Sequence, residues 1–438
     1  MAGRLSWGLG DQAISSLTNF AVGIFVARSL GVTAFGIFSL AWVTYAVVLN
    51  LSRGLATDPL LVRFSDAPDA RWRTAVAQSS STALAVGLAT GATSMLAGLL
   101  IGGLVGSAFV ALGLVLPALL LQDSWRYAFF ANGQGRKAFL NDAVWAVSLI
   151  PAMLLAARDG SVFTFLLAWG VAGTVAAGYG IMQTRVLPGV RGIRSWLTQH
   201  RDLGPRYMVE NISIASAEQL RIYALGAIAG LASVGAVRGA QLLLAPSFAV
   251  LMGISLVSVP EAARVLKRSP RRLPLFCVLL GGGEAFAVSL WGLGLLFLLP
   301  AGVGQHLLGS VWPSASALIV PTTLGVMGGG LMDGPTAGLR ALGAARRSLR
   351  GKLIAAAAYV SCGLVGAAIG GAAGSAWGVA VAIYFSVGVL WWQLRAAMGE
   401  RTPAHPGRRR HGAVRPRRVG PTAFPASQTQ LEVEAIPS

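Results

Sequence analysis

The chain has 438 residues, 55% of them hydrophobic and only 12% charged, with a mean hydropathy of +0.66. A soluble globular enzyme has too few polar residues here to cover its apolar surface, and two cysteines inside apolar runs, Cys277 and Cys362, exclude a disulfide scaffold. A polytopic membrane protein remains, with a net charge of +19 that marks either a nucleic-acid partner or membrane topology.

About 20 apolar residues cross a bilayer as a helix. Twelve runs meet that length, near 11–30, 34–55, 74–100, 104–125, 141–157, 162–183, 207–229, 236–257, 273–299, 315–339, 352–371 and 376–397. The break Gly31-Val-Thr-Ala separates the first two, and Gly102-Gly103 supplies the turn between the third and fourth. The runs are continuous, unlike the alternating segments of a membrane β-barrel. The predicted class is therefore all-α integral membrane. The first run carries Asp11 at its start and no small-residue cleavage site, so it reads as a span and not a signal peptide.

With the N-terminus cytoplasmic, 31 of the 35 Lys and Arg fall in the even-numbered loops and the two tails. Arg28, Arg158 and Arg238 fall on the other side, and Arg221 lies inside a span. This is the positive-inside bias. It predicts a multi-pass protein of the cytoplasmic (inner) membrane with both termini cytoplasmic, and it removes the case for nucleic acid. The loop 184–206 carries Ile193, Trp196 and Leu197 at helical spacing among Arg191, Arg194 and Arg201. It fits either a short interfacial helix or a solvated basic linker. Residues 399–438, rich in Pro and Arg, read as a disordered tail. Arg408-Arg409-Arg410 there suits anionic headgroups or simple solvation.

An internal repeat follows. Asp11-Gln12 and Glu210-Asn211 stand at the same offset as Gly31-Val-Thr-Ala-Phe-Gly36 and Gly230-Leu-Ala-Ser-Val-Gly235. Asp123, Gly133, Arg136 and Lys137 match Asp333, Gly343, Arg346 and Arg347 at a second constant offset. Matched loops share a side of the membrane, so two six-helix lobes are related by a parallel pseudo-two-fold. The divisions are 1–206, 207–398 and the tail 399–438.

Polar residues within spans are the functional candidates, because an ionised group at a helix centre costs about 2.5–3.5 kcal/mol. Asp11, Ser15, Thr18 and Asn19 form one stripe on the first helix. It lines a cleft or bonds neighbouring helices. On the seventh helix, Glu218 and Arg221 are i, i+3 neighbours and Glu210 shares the face of Arg221. They form either a cleft wall with Arg221 on an anionic group or an internal ion pair. Arg28, Arg53, Arg126 and Arg238 stand near helix ends, where a planar guanidinium suits phosphate and snorkelling is the alternative. Asp11, Glu210 and Glu284 are candidates for proton or sodium coupling, with simple burial of Glu284 the alternative. Asp123 and Asp333 each precede a basic turn and are expected to latch to it. No metal-ligand cluster, phosphate loop or nucleophile elbow is present, so no catalytic residue, metal or cofactor is expected.

The segment Ala27-Arg28-Ser29-Leu30-Gly31-Val32-Thr33-Ala34-Phe35-Gly36 resembles the first-hairpin signature of polysaccharide exporters. Leu307-Leu308-Gly309 to Trp312, and Gly338-Leu339-Arg340-Ala341-Leu342-Gly343, resemble their ninth-to-tenth helix region. These exporters belong to the multidrug/oligosaccharidyl-lipid/polysaccharide (MOP) superfamily. Over residues 5–397 the resemblance implies twelve helices in two lobes. It implies a flippase of the O-antigen or teichoic type, moving a polyprenyl-pyrophosphate-linked glycan to the outer leaflet by alternating access. The polar tail, where lipid II flippases carry further helices, favours the former branch. The expected partners are the bilayer, the lipid-linked glycan and other glycan-assembly membrane proteins. A multidrug antiporter of the same superfamily, or a non-transporting component of a glycan-assembly complex, is the alternative.

Overall fold

The computed structural model describes residues 2–64, 69–189 and 192–401. Within a bilayer the backbone must bond to itself, which selects helices. The first crossing is α1 (Ala2–Ser29). The second joins α2 (Val32–Ser52), a π turn (Arg53–Thr57) and α3 (Asp58–Phe64). The next four are α4 (Asp69–Ile101), α5 (Gly103–Ala131), α6 (Gly135–Asp159) and α7 (Val162–Thr184). A short α8 (Ile193–Gln199) precedes α9 (Gly204–Ala229), the first crossing of the second lobe. α10 (Leu231–Leu243) and α11 (Ala245–Arg268) make one crossing bent by 60°. α12 (Leu273–Leu293) follows. The small helices α13 (Ala301–Leu308) and α14 (Trp312–Ser316) turn through 86° into α15 (Ile319–Ala341). α16 (Ala345–Arg401) is two crossings, broken at Gly370 and Gly371.

All twelve predicted runs are helical, and among the described residues seven helices and two bent helix pairs are long and apolar enough to cross a membrane. The runs differ at their ends: the second continues to Phe64 and the eleventh begins at Ala345, because helical turns rich in Arg run past the hydrocarbon layer. The eighth begins at Leu231 instead of 236 and bends where Pro246 follows. The last helix continues to Arg401, beyond the expected boundary at 398, and the remaining tail, 402–438, lies outside the described residues.

The repeat is visible in backbone detail. α5 ends with Gly133 in the left-handed region (φ 65°), where Gln134 N–H reaches Phe129 C=O and Gly133 N–H reaches Phe130 C=O. α15 ends with Gly343 at φ 69°, and Ala344 and Gly343 donate to Leu339 and Arg340 in the same pattern. Both are Schellman caps, which need a residue without a Cβ penalty at positive φ. The turns that match in sequence are thus the same turn.

Two tryptophans repair helix irregularities. Pro59 has no N–H for the Leu55 carbonyl one turn earlier, and the Trp196 indole donates to that oxygen at 3.1 Å. At the α10–α11 bend, Trp291 donates to Leu243 C=O at 2.9 Å. Trp196 belongs to α8 and is fully buried against Phe64 and His200. The linker helix is therefore docked on the first lobe through Trp196, while Ile193 is half-buried and Leu197 exposed. Arg63 ties the same linker down through Gln199 C=O and Asp202 at 2.8 and 2.6 Å.

Trp196→Phe keeps the ring and removes the donor, so the linker should loosen by about 1 kcal/mol, read as faster proteolysis within 184–206 and a lower unfolding midpoint. Burial lowers the His200 pKa, against the opposing contact with the Trp196 carbonyl. The docked imidazole is therefore neutral, and its contribution is present above the ordinary value of 6.5 and lost as pH falls below it. Linker proteolysis should accelerate on acidification through that range, and His200→Asn should flatten the response.

Candidate functional site

The first lobe gathers its charges where α1, α5, α6 and the π turn converge. The Arg53 guanidinium forks onto Asp123, Nε to Oδ2 at 3.0 Å and Nη2 to Oδ1 at 2.7 Å, and lies 5.0 Å over the Tyr127 ring. One turn along α5, Arg126 contacts Asp11 of α1 at 2.5–2.6 Å and Asp142 of α6 at 3.4 Å. Gln122 donates to Asp142 at 2.9 Å and to Asn141 at 3.2 Å, and Asn141 donates to Ala176 C=O and Gln183. The network holds three carboxylates against two guanidiniums. Asp11 Oδ1 and Asp142 Oδ2 receive no hydrogen bond. The local sum is one negative charge, which one proton would balance.

Burial is uneven in this network. Side-chain exposure is 24% for Arg53 against 7% for Asp123, and 12% for Arg126 against 0% for Asp11 and 2% for Asp142. The acids form the inner layer and the arginines the outer.

In the second lobe the expected Glu218–Arg221 pair does not form. Glu218 faces α10 instead, where Arg238 stands at 3.7 Å and Gln241 at 3.4 Å. Arg238 thus sits two turns inside a crossing and not in the far loop. Arg221 is almost fully buried. It donates to Tyr359 Oη at 3.1 Å and Ser375 Oγ at 3.3 Å, with its guanidinium 5.3 Å from the Tyr359 ring. It binds the seventh helix to the last two and, in this conformation, lines no open cleft. The i, i+3 spacing allowed the pair, but tertiary packing turned the two side chains to different neighbours.

Other candidates are dispersed. Ser15 is buried, Asn19 is half-buried with Oδ1 unbonded, and Thr18 bonds back to Ile14 C=O. Asp11 is sealed behind Arg126, so the stripe binds helices more than it faces water. Arg28 is exposed at the end of α1. The side chain of Glu210 lies outside the described residues; its neighbour Asn211 donates to Asp58 at 2.7 Å across the lobes. Asp123 latches to Arg53, not to its own basic turn, and Asp333 faces Glu284. Asp142, Asn141 and Gln122 went unread in the sequence. The signal for them was the doubled pair Gln122-Asp123 and Asn141-Asp142 at adjacent helix ends.

The lobes are closed at one end. At the face opposite the basic loops, one continuous apolar core joins Val26, Leu30 and Phe38 of the first lobe to Leu243, Leu308 and Val311 of the second. At the basic face the lobes keep separate cores, one around Trp125 and Phe129 and one around Cys277 and Leu394. The seal includes a reciprocal crossing of repeat-matched glycines. A Cβ on Gly36 would overlap the Leu231 carbonyl, and a Cβ on Gly235 would overlap the Val32 carbonyl. Thr44 and Tyr223 hydroxyls bond at 2.7 Å below it.

No protein-family model matches the chain, and no curated protein matches it. Among solved structures, an inward-facing multidrug resistance MATE family transporter of the MOP superfamily is similar at a TM-score of 0.70 and 14% identity, over 89% of this chain and 96% of that one. The lipid II flippase MurJ, inward closed, is similar at 0.64 and 10% identity, over 90% and 89%. An outward-facing MATE structure is similar at 0.51 and 14%, over 89% and 93%. The chain has the two-lobe, twelve-helix fold of these transporters. Its higher likeness to the inward forms agrees with its sealed far end.

Removing either partner of the buried pair Arg53–Asp123 leaves a bare charge, at about 3–5 kcal/mol. Arg53→Met and Asp123→Asn should each depress folding yield and unfolding temperature, and the double variant should recover most of the loss. Gly36→Val adds a branched side chain where two backbones touch, so the far end should fail to close. With Cys277 and Cys362 replaced by alanine, a cysteine at position 44 should react with a membrane-impermeant thiol reagent from the far side faster in this variant than in its parent.

Proposed function

We propose that this protein is a flippase of the cytoplasmic membrane. In this reading it carries a polyprenyl-pyrophosphate-linked oligosaccharide from the inner to the outer leaflet for cell-surface polysaccharide synthesis. The basic face is cytoplasmic, as the loop charges argue. The likeness in fold to MATE and MurJ transporters supports a transporter.

The observation that favours an anionic cargo is the layering of the first-lobe charges. In the Arg53–Asp123 and Arg126–Asp11 pairs the acids are the buried members and the arginines reach outward. Arg53 and, across the lobes, Arg238 lie on the helices bounding the inter-lobe space, each with a side chain 24% exposed. A guanidinium fork suits a pyrophosphate, while the glycan meets the polar cleft and the lipid tail stays in the bilayer. The uncompensated carboxylate of the Asp11–Arg126–Asp142 triad accepts the coupling proton. Its uptake would release Arg126 from one acid and free the first helix to move.

A multidrug antiporter is the second reading, favoured by the exposure of Glu218 (53%) in the same space. Deletion of the gene separates the two. The flippase reading expects loss of surface glycan and accumulation of its lipid-linked precursor in the inner leaflet, with drug susceptibility unchanged. Arg53→Lys should reduce glycan output several-fold at normal protein level. Heightened sensitivity to cationic drugs with normal glycan would reverse the assignment.

A further inference from the structure

Among the described residues, the second lobe contains a buried acid with no ion-pair partner. Glu284 of α12 is 1% exposed, and neither of its carboxyl oxygens receives a hydrogen bond from a donor. The group opposite is Asp333 of α15, within reach of a carboxyl–carboxyl contact. α12 and α15 are pressed together here. Gly281 abuts the Gly330 carbonyl, a Cβ on Gly330 would come 2.9 Å from the Glu284 Cβ, and one on Gly334 would overlap the Cys277 carbonyl.

The repeat sharpens the contrast. Asp333 is the counterpart of Asp123, which is neutralised by the Arg53 fork. Among the described residues of the second lobe no arginine fork takes that place, and a second acid faces Asp333 instead. The cations acting on Asp333 are Lys352 of α16 and Arg340 of α15. α11 brings Leu251 to this seam beside Gly330, and its charged pair, Glu261 with Arg264, is exposed at the basic end. Glu284 is buried and Asp333 half-buried, and two carboxylates facing each other in such a seam are not both ionised. A metal ion would need further ligands, and among the described residues no group of three or more His, Cys, Asp or Glu is placed to hold one.

We propose that Glu284 and Asp333 form a proton-binding site in the second lobe, two carboxyl groups sharing one proton. Glu284 is the donor of the O–H···O bond and Asp333, nearer the cations, the acceptor. The site stands whatever the cargo is. Loss of the proton would set like charges against each other inside the seam, so ionisation must accompany separation of α12 from α15. Proton number in this lobe is thus tied to its shape, apart from the triad of the first lobe.

The test is infrared spectroscopy of the full chain in lipid vesicles, which reads the protonated-carboxyl stretch independently of transport. The wild type should retain such a band at neutral pH. Glu284→Gln and Asp333→Asn, each isosteric, should both remove it, while Asp142→Asn leaves it in place. Circular dichroism checks the fold, and either variant suffices if the other fails to fold. A band that persists in a folded variant overturns the site. So does a band that sodium abolishes at constant pH, since the occupant would then be a metal cation.

Discussion

An ionised group inside a bilayer protein must meet an opposite charge, a dense set of dipoles or a proton. That constraint organises this molecule. It draws α1, α5, α6 and the π turn of the second crossing to one point, because Asp11, Arg126, Asp142, Arg53 and Asp123 have no other means of neutralisation at that depth. The π turn itself places Arg53 across from Asp123. The second lobe solves the same problem differently, with Tyr359 and Ser375 around Arg221 and Arg238 beside Glu218. The repeat conserved the scaffold and let the charges diverge.

Apolar packing sets the conformation. The far end has one joined core and the basic end has separate cores, bridged there by the approach of Gly54 to Met208 and by the Asn211–Asp58 hydrogen bond. Closure at the far end combines the joined apolar core with backbone contact through Gly36 and Gly235. The bend at Leu244, beside the far-end core, and the docked linker at Trp196, on the basic side, give each lobe a repaired irregularity.

Much of this was legible in the sequence. Length and hydropathy delimited the crossings, since twenty apolar residues have few other fates. The repeat at Gly133 and Gly343 was legible because a Schellman cap demands glycine and leaves it in both halves. Partner choice was not legible. Glu218 and Arg221 are neighbours on one helix, but which helix faces each is decided by rotation and packing that no local spacing encodes. Arg126 was counted as a loop charge because a helix end near the interface does not reveal that the helix continues. Trp196 was apolar on an amphipathic pattern, and only the missing N–H of Pro59 explains why it turns inward.

The most direct measurement of the central claim is translocation itself. Purified full-length protein would be placed in vesicles holding a lipid-linked oligosaccharide in one leaflet, and exposure of the glycan to an added, membrane-impermeant glycosidase would be followed over time. The account predicts protein-dependent exposure that accelerates under a proton gradient and slows in Arg53→Lys. Protection identical to that of empty vesicles, in protein that folds and that moves organic cations instead, would contradict it.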